Sequence, residues 1–112
     1  MKQPKTIYSY SEEDALKDGI FVDVTPHSFQ QGRPIQIIVT PAVQEAFSQA
    51  AIMEMYNSFV LKHNKKPEEN TDKRCGYFTI EKMNAKEVYV EAVFREEPKR
   101  KVIVKMYFPH ER

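Results

Sequence analysis

A thiol nucleophile needs a base within hydrogen-bond reach, and this chain offers one thiol, Cys75, and three imidazoles, His27, His63 and His110. None of the three stands at a family-specific spacing from Cys75, and a lone cysteine at a strand start is usually a small hydrophobic side chain. One cysteine with three scattered histidines matches no zinc spacing either. Asp14 and Asp18 lie four apart and share a face if helical, with Asp23 close behind. A solvated helix explains that pattern without any chemistry. The glycines, at 19, 32 and 76, leave no loop that would cradle a phosphate. With no convergent nucleophile, base or metal set, the expectation is a protein that is not an enzyme and takes no cofactor or metal.

The remaining chemistry is charge and aromatic surface. Residues 1–61 carry four Lys/Arg against seven Asp/Glu, and residues 62–112 carry thirteen against nine, so a net charge of +1 hides an acidic half and a basic half. A nucleic-acid contact would use the basic half: Lys99, Arg100 and Lys101 at a hairpin, Lys105 on a sheet face, and Tyr89 and Tyr107 for base stacking. Glu91, Glu96 and Glu97 lie beside those same cations and weaken the field a phosphate would see. A single cysteine forms no internal disulfide, and the start MKQPKTIYSYSEEDA turns acidic where a signal peptide would be apolar. No apolar run approaches the roughly eighteen residues of a membrane span. A cytoplasmic protein with no membrane partner is expected.

Length and composition place the chain as one domain, 1–112, with 41% hydrophobic and 29% charged residues, enough for a core of its own. Ser11 opens a capping-box-like Ser-Glu-Glu-Asp, and Gly19 stands where a left-handed residue ends a helix, so a short helix is expected over Glu12–Asp18. Ile20–Val24 reads as a strand, Thr25-Pro26 as the start of one further turn running to Gly32, and Ile35–Val39 as a second buried strand. Thr40-Pro41 repeats the cap-then-proline signal and opens the longest helix, reaching about Lys62. Its apolar face changes side midway. Val43, Ala46, Phe47, Ala50 and Met53 form one stripe, and Ile52, Met55, Tyr56, Phe59 and Val60 a nearly opposite one. Such a helix passes between two layers, breaks near Ala51–Glu54, or turns one stripe to another chain. On the last reading Ile52, Met55, Tyr56 and Phe59 are the candidate partner contact or self-association seam.

After a polar loop, KHNKKPEENTDKR at 62–74, three alternating strands follow. Hydrophobicity assigns Phe78 and Ile80, then Val88, Val90, Ala92 and Phe94, then Val102, Val104, Met106 and Phe108 to one inner face. That register sets Ile80 opposite Val88 and Phe94 opposite Val102, and it requires odd-length loops around Asn84 and Pro98. The outer face would then show Tyr77, Glu91 and Lys105 in one row and Thr79, Tyr89 and Tyr107 in the next. The expected class is α+β: an N-terminal helix with short strands, then one long helix packed on a C-terminal three-stranded antiparallel meander.

The blocks IYSYSEEDALKDGIFVDVT, VTPAV and the closing VIVKMYFPHE resemble an uncharacterised family of short proteins carried by bacterial plasmids, phages and integrated mobile elements. The positions that match are Ala15, Asp18, Gly19, Val22, Asp23, Val24, Thr40, Ala42, Val43 and Pro109. Gln44 stands where that family often places a tryptophan, so no role of that aromatic transfers. The resemblance implies a genomic setting, an accessory of a mobile element, and carries no activity with it. Together with the missing catalytic groups, it leads to a small protein that acts by binding another protein, in an anti-defence or regulatory role. The nucleic-acid contact is the alternative.

Overall fold

The computed structural model describes residues 12–30, 34–63, 77–95 and 101–111. Its elements are helix α1 (Glu12–Lys17), strand β1 (Val22–Asp23), a 3-10 turn at His27–Gln30, strand β2 (Ile35–Val39) and helices α2 (Pro41–Ala46) and α3 (Gln49–His63). Strands β3 (Tyr77–Met83), β4 (Lys86–Arg95) and β5 (Lys101–Tyr107) follow, and a second 3-10 turn covers Pro109–Glu111. The class is α+β. The meander β3-β4-β5 does form, but it belongs to a larger sheet in the order β1-β2-β5-β4-β3. The parallel pairing of β2 with β5, Ile35 opposite Val102 through Val39 opposite Met106, joins the two halves of the chain.

That pairing makes β2 and β5 internal strands covered on both faces, which is why IQIIV and KVIVKMY read as nearly continuous apolar runs. Ile35, Ile37, Val39, Val102, Val104 and Met106 face the main core beneath α2 and α3. Ile38, Ile103 and Tyr107 face the other side, where Ala15 and Phe21 close over them. The outer face of the sheet is therefore open only in part, contrary to the expectation of an open surface. α1 ends as the sequence implies: Gly19 takes φ +77°, and Ile20 N–H and Phe21 N–H both donate to Ala15 C=O, at 2.8 and 3.1 Å.

The Asp-Val-Thr segment is a staple. Asp23 accepts from Thr25 N–H (2.9 Å), Thr25 Oγ1 (2.6 Å) and Gln36 Nε2 (2.8 Å), and Thr25 Oγ1 accepts from Ile37 N–H at 2.8 Å. Side chains thus continue the β1–β2 ladder after β1 has ended. Burial alone would raise the Asp23 pKa, but the Thr25 and Gln36 hydrogen bonds and the charge of Lys101 outweigh it and hold the carboxyl below its ordinary value.

The single long helix is two helices. Phe47 leaves α2 with extended φ −131° and ψ 142°, and Ser48 caps α3, its Oγ accepting from Ala51 N–H at 3.2 Å. The break falls at Phe47-Ser48, ahead of the expected Ala51–Glu54. It rotates the second helix so that both apolar stripes reach the same core: Val43 and Phe47 from α2, and Ile52, Met55, Tyr56 and Phe59 from α3, all at most 5% exposed. The α2 start behaves as its sequence indicates. Thr40 Oγ1 accepts from Val43 N–H and also donates to Glu111 Oε1 at 2.7 Å, which ties the last turn to the helix start.

Strand β3 corrects the sequence reading. Asn84 and Ala85 form a two-residue turn with φ 54° and 63°, and Met83 pairs with Lys86. No odd-length loop is present there. The register that follows sets Glu81 opposite Val88 and Ile80 opposite Tyr89, so Tyr77, Thr79 and Glu81 point to α3 and Phe78 and Ile80 point away. Parity is the physical reason: two left-handed residues fix the hairpin register, and a one-residue shift inverts a whole strand. The second hairpin agrees with expectation, with Phe94 opposite Val102.

Candidate functional site

The inverted strand puts apolar surface where the sequence predicted none. Phe78 is 39% exposed and Ile80 47% exposed on the outer face of β3. They occupy the rows expected for Tyr77 and Thr79, which lie on the opposite face against α3. The other expected cross-strand neighbours do meet: Glu91 lies opposite Lys105 and Tyr89 opposite Tyr107. An aromatic row results, with Phe78 edge-on to Tyr89 at 5.3 Å between centroids and Tyr89 edge-on to Tyr107 at 5.7 Å. One end of the row is open and the other is buried beneath the N-terminal segment.

The four described nucleic-acid candidates, Tyr89, Lys101, Lys105 and Tyr107, do not form one open surface. Tyr107 is 1% exposed and its hydroxyl donates to Glu91 Oε1 at 3.1 Å, so its ring is closed to a base. Lys105 lies 4.0 Å from the same carboxylate, and Lys101 donates to Gln36 Oε1 at 3.3 Å. Tyr89 alone of the tyrosines named for stacking is partly exposed. Lys99 and Arg100 lie outside the described residues, as do Ser11, Cys75 and the polar loop from residue 64.

The proposed partner stripe is placed with equal clarity. Ile52, Met55, Tyr56 and Phe59 are 1%, 1%, 3% and 0% exposed and line the main core, so they present no surface to a second protein. Among the described residues, the large hydrophobic that this helix exposes is Leu61, at 74%. The stripe was spent inside once the helix broke.

Polar chemistry gathers beneath β3. Glu81, 4% exposed, accepts from Thr79 Oγ1 at 2.6 Å and from Lys62 Nζ at 3.0 Å, with Ser58 as a further donor. Burial pushes its pKa up, and the hydrogen bonds from Thr79, Ser58 and Lys62 with the lysine charge reverse that, holding the carboxyl below the usual glutamate value. The buried charge is thus met by one cation and two hydroxyl donors. His63 stacks on Tyr77 at 4.3 Å and meets Phe59 edge-on at 5.1 Å, and its Nε2 is buried with no hydrogen-bond partner among the described residues. His27 and His110 sit on the two separate 3-10 turns. Among the described residues no group of three His, Cys, Asp or Glu side chains could hold a metal, and no helix is long and apolar enough to cross a membrane.

One hollow of about 530 Å³ opens beside the hairpin turn, lined by Ala85, Lys86, Glu87, Phe108, Pro109 and His110. Phe108 is already stacked on His110 at 5.7 Å, and the Lys86 ammonium stands 6.0 Å from its centroid.

The outer-face patch at Phe78 and Ile80 is the feature that hydrophobic patterning alone missed. The signal that would have found it was Asn84: asparagine tolerates a left-handed φ, and between two alternating runs it marks a two-residue hairpin. Comparison with protein-family models, with curated proteins and with solved structures finds no match.

Proposed function

We propose that this chain is a binding protein rather than an enzyme, an anti-defence or regulatory accessory of a mobile element that engages a protein partner. Its contact is the outer face of β3 around Phe78 and Ile80. The observation that carries this reading is the exposure of those two large apolar side chains, 39% and 47%, beside the aromatic Tyr89, whereas the large apolar side chains of the other described strands are buried or partly buried. Isolated exposed hydrophobics are ordinary, whereas adjacent ones on a flat strand face give a partner something to desolvate. The engagement of Glu81 by Lys62, Thr79 and Ser58 and the dispersal of the three histidines over separate elements support binding over catalysis.

Affinity capture from bacterial lysate, with and without nuclease, tests the reading when the wild type is compared with Ile80→Glu. A protein retained by the wild type after nuclease and lost with Ile80→Glu supports it. Retention that vanishes with nuclease transfers the function to nucleic acid, and retention indifferent to Ile80→Glu removes this face from the contact.

A further inference from the structure

The edge of the sheet beside this patch carries its own device. In the two-residue hairpin Met83 and Lys86 form a bonded pair, so Glu81 with Val88 and Thr79 with Val90 exchange the next ladder bonds. Ile80 and Lys82 lie between those pairs and turn their main-chain groups to the side away from β4. Among the described residues no strand pairs with that side, since β3 ends the sheet. An edge of this kind, seven residues long with Phe78 and Ile80 beside Lys82 on its outer face, is a template for another strand. Here Lys62 reaches across from α3. Its ammonium donates to Ile80 C=O at 3.4 Å while bound to Glu81 at 3.0 Å. It therefore stands where the N–H of an added strand would have to be.

We infer that Lys62 is the guard of the β3 edge, and that the strand it excludes is β3 of a second copy of this chain. A two-fold axis centred on Ile80 is the register in which the strand is self-complementary. It sets Ile80 against Ile80 of the other copy and each Lys82 against a Phe78 ring, with Thr79 facing Glu81 on the inner side. Centring on Lys82 would oppose two ammoniums. In the Ile80 register both Lys62 side chains would still meet at one seam and block both Ile80 carbonyls. Removing that ammonium removes the steric block and the like-charge repulsion together.

The test is equilibrium sedimentation of the full chain over rising concentration. Lys62→Met combined with Glu81→Gln removes the guard without leaving a buried carboxylate unpaired. The wild type is expected to keep the mass of one chain and the double variant to shift toward twice that mass. Adding Ile80→Pro should return it to one chain, because proline deletes the outward N–H and none of the N–H groups of the β3–β4 ladder. Ile80→Thr, which keeps that N–H, should leave the association in place. Lys82→Pro deletes the neighbouring outward N–H and gives the same reading if circular dichroism shows that Ile80→Pro disturbs the fold. A double variant that stays a single chain at the highest concentration overturns the inference. So does association that survives both prolines, or a wild type that associates as readily as the double variant.

Discussion

Substituting Lys62 by methionine leaves Glu81 with the Thr79 and Ser58 hydroxyls but no cation, while its side chain is only 5% exposed. Removing one partner of a fully buried ion pair costs about 3–5 kcal/mol, because a charge is stranded in a poor solvent. Lys62 is itself 49% exposed, so water screens part of the attraction, and two neutral donors persist. The expected loss is therefore about 1–2 kcal/mol, the range of one charge-assisted hydrogen bond with partial screening. The pH dependence has a definite sign. The folded carboxyl titrates below its ordinary value, so the stability it contributes is fully present above the unfolded pKa of about 4.3 and fades as pH falls through the lower folded value. Urea unfolding of the wild type, Lys62→Met and Glu81→Gln at neutral and acid pH measures both effects. The gap between wild type and Glu81→Gln should close as the pH drops below that range. A Lys62→Met protein as stable as the wild type, or a gap that ignores pH, would falsify the account of this network.

Two further outcomes test the hairpin and the strand it orients. Ala85 holds φ 63°, a conformation that costs a residue with a Cβ about 1–2 kcal/mol, so Ala85→Gly should raise stability by roughly 0.5–1 kcal/mol after the added unfolded-state entropy is subtracted. Thermal melts read that directly, and a lower Tm would contradict the two-residue turn. Ile37→Ala, at a site with 0% exposure, should cost about 2–5 kcal/mol, whereas Ile80→Ala, at 47%, should cost about 1 kcal/mol or less. Equal losses in chemical denaturation would restore Ile80 to the core and reverse the facing of β3.

Local signals in the sequence accounted for the elements that local forces build. Gly19 stops α1, Thr40-Pro41 starts α2, and the β-branched run at Ile35–Val39 is a strand with those same ends. The alternation in β4, set against Val102, Val104 and Met106 of β5, gave the pairing of Phe94 with Val102 and of Glu91 with Lys105, because one register puts both apolar sets on the same face. β3 alternates as well, but its apolar set and its turn disagree. Phe78 and Ile80 argue for one facing and Asn84-Ala85 for the other, and the turn prevails because Lys62, Ser58 and Thr79 satisfy the carboxylate that the inverted strand buries.

What the sequence determined by itself was the class of fold and the strand and helix signals. Tertiary structure decided the rest. Helix α3 had to arrive from elsewhere in the chain before Glu81 could be buried, and β2 had to cross beside β5 before Tyr107 could be covered. Those contacts join residues far apart in sequence, so no local period records them. The exposed patch on β3 follows from them, because a strand face is outer or inner only relative to the helix packed on it.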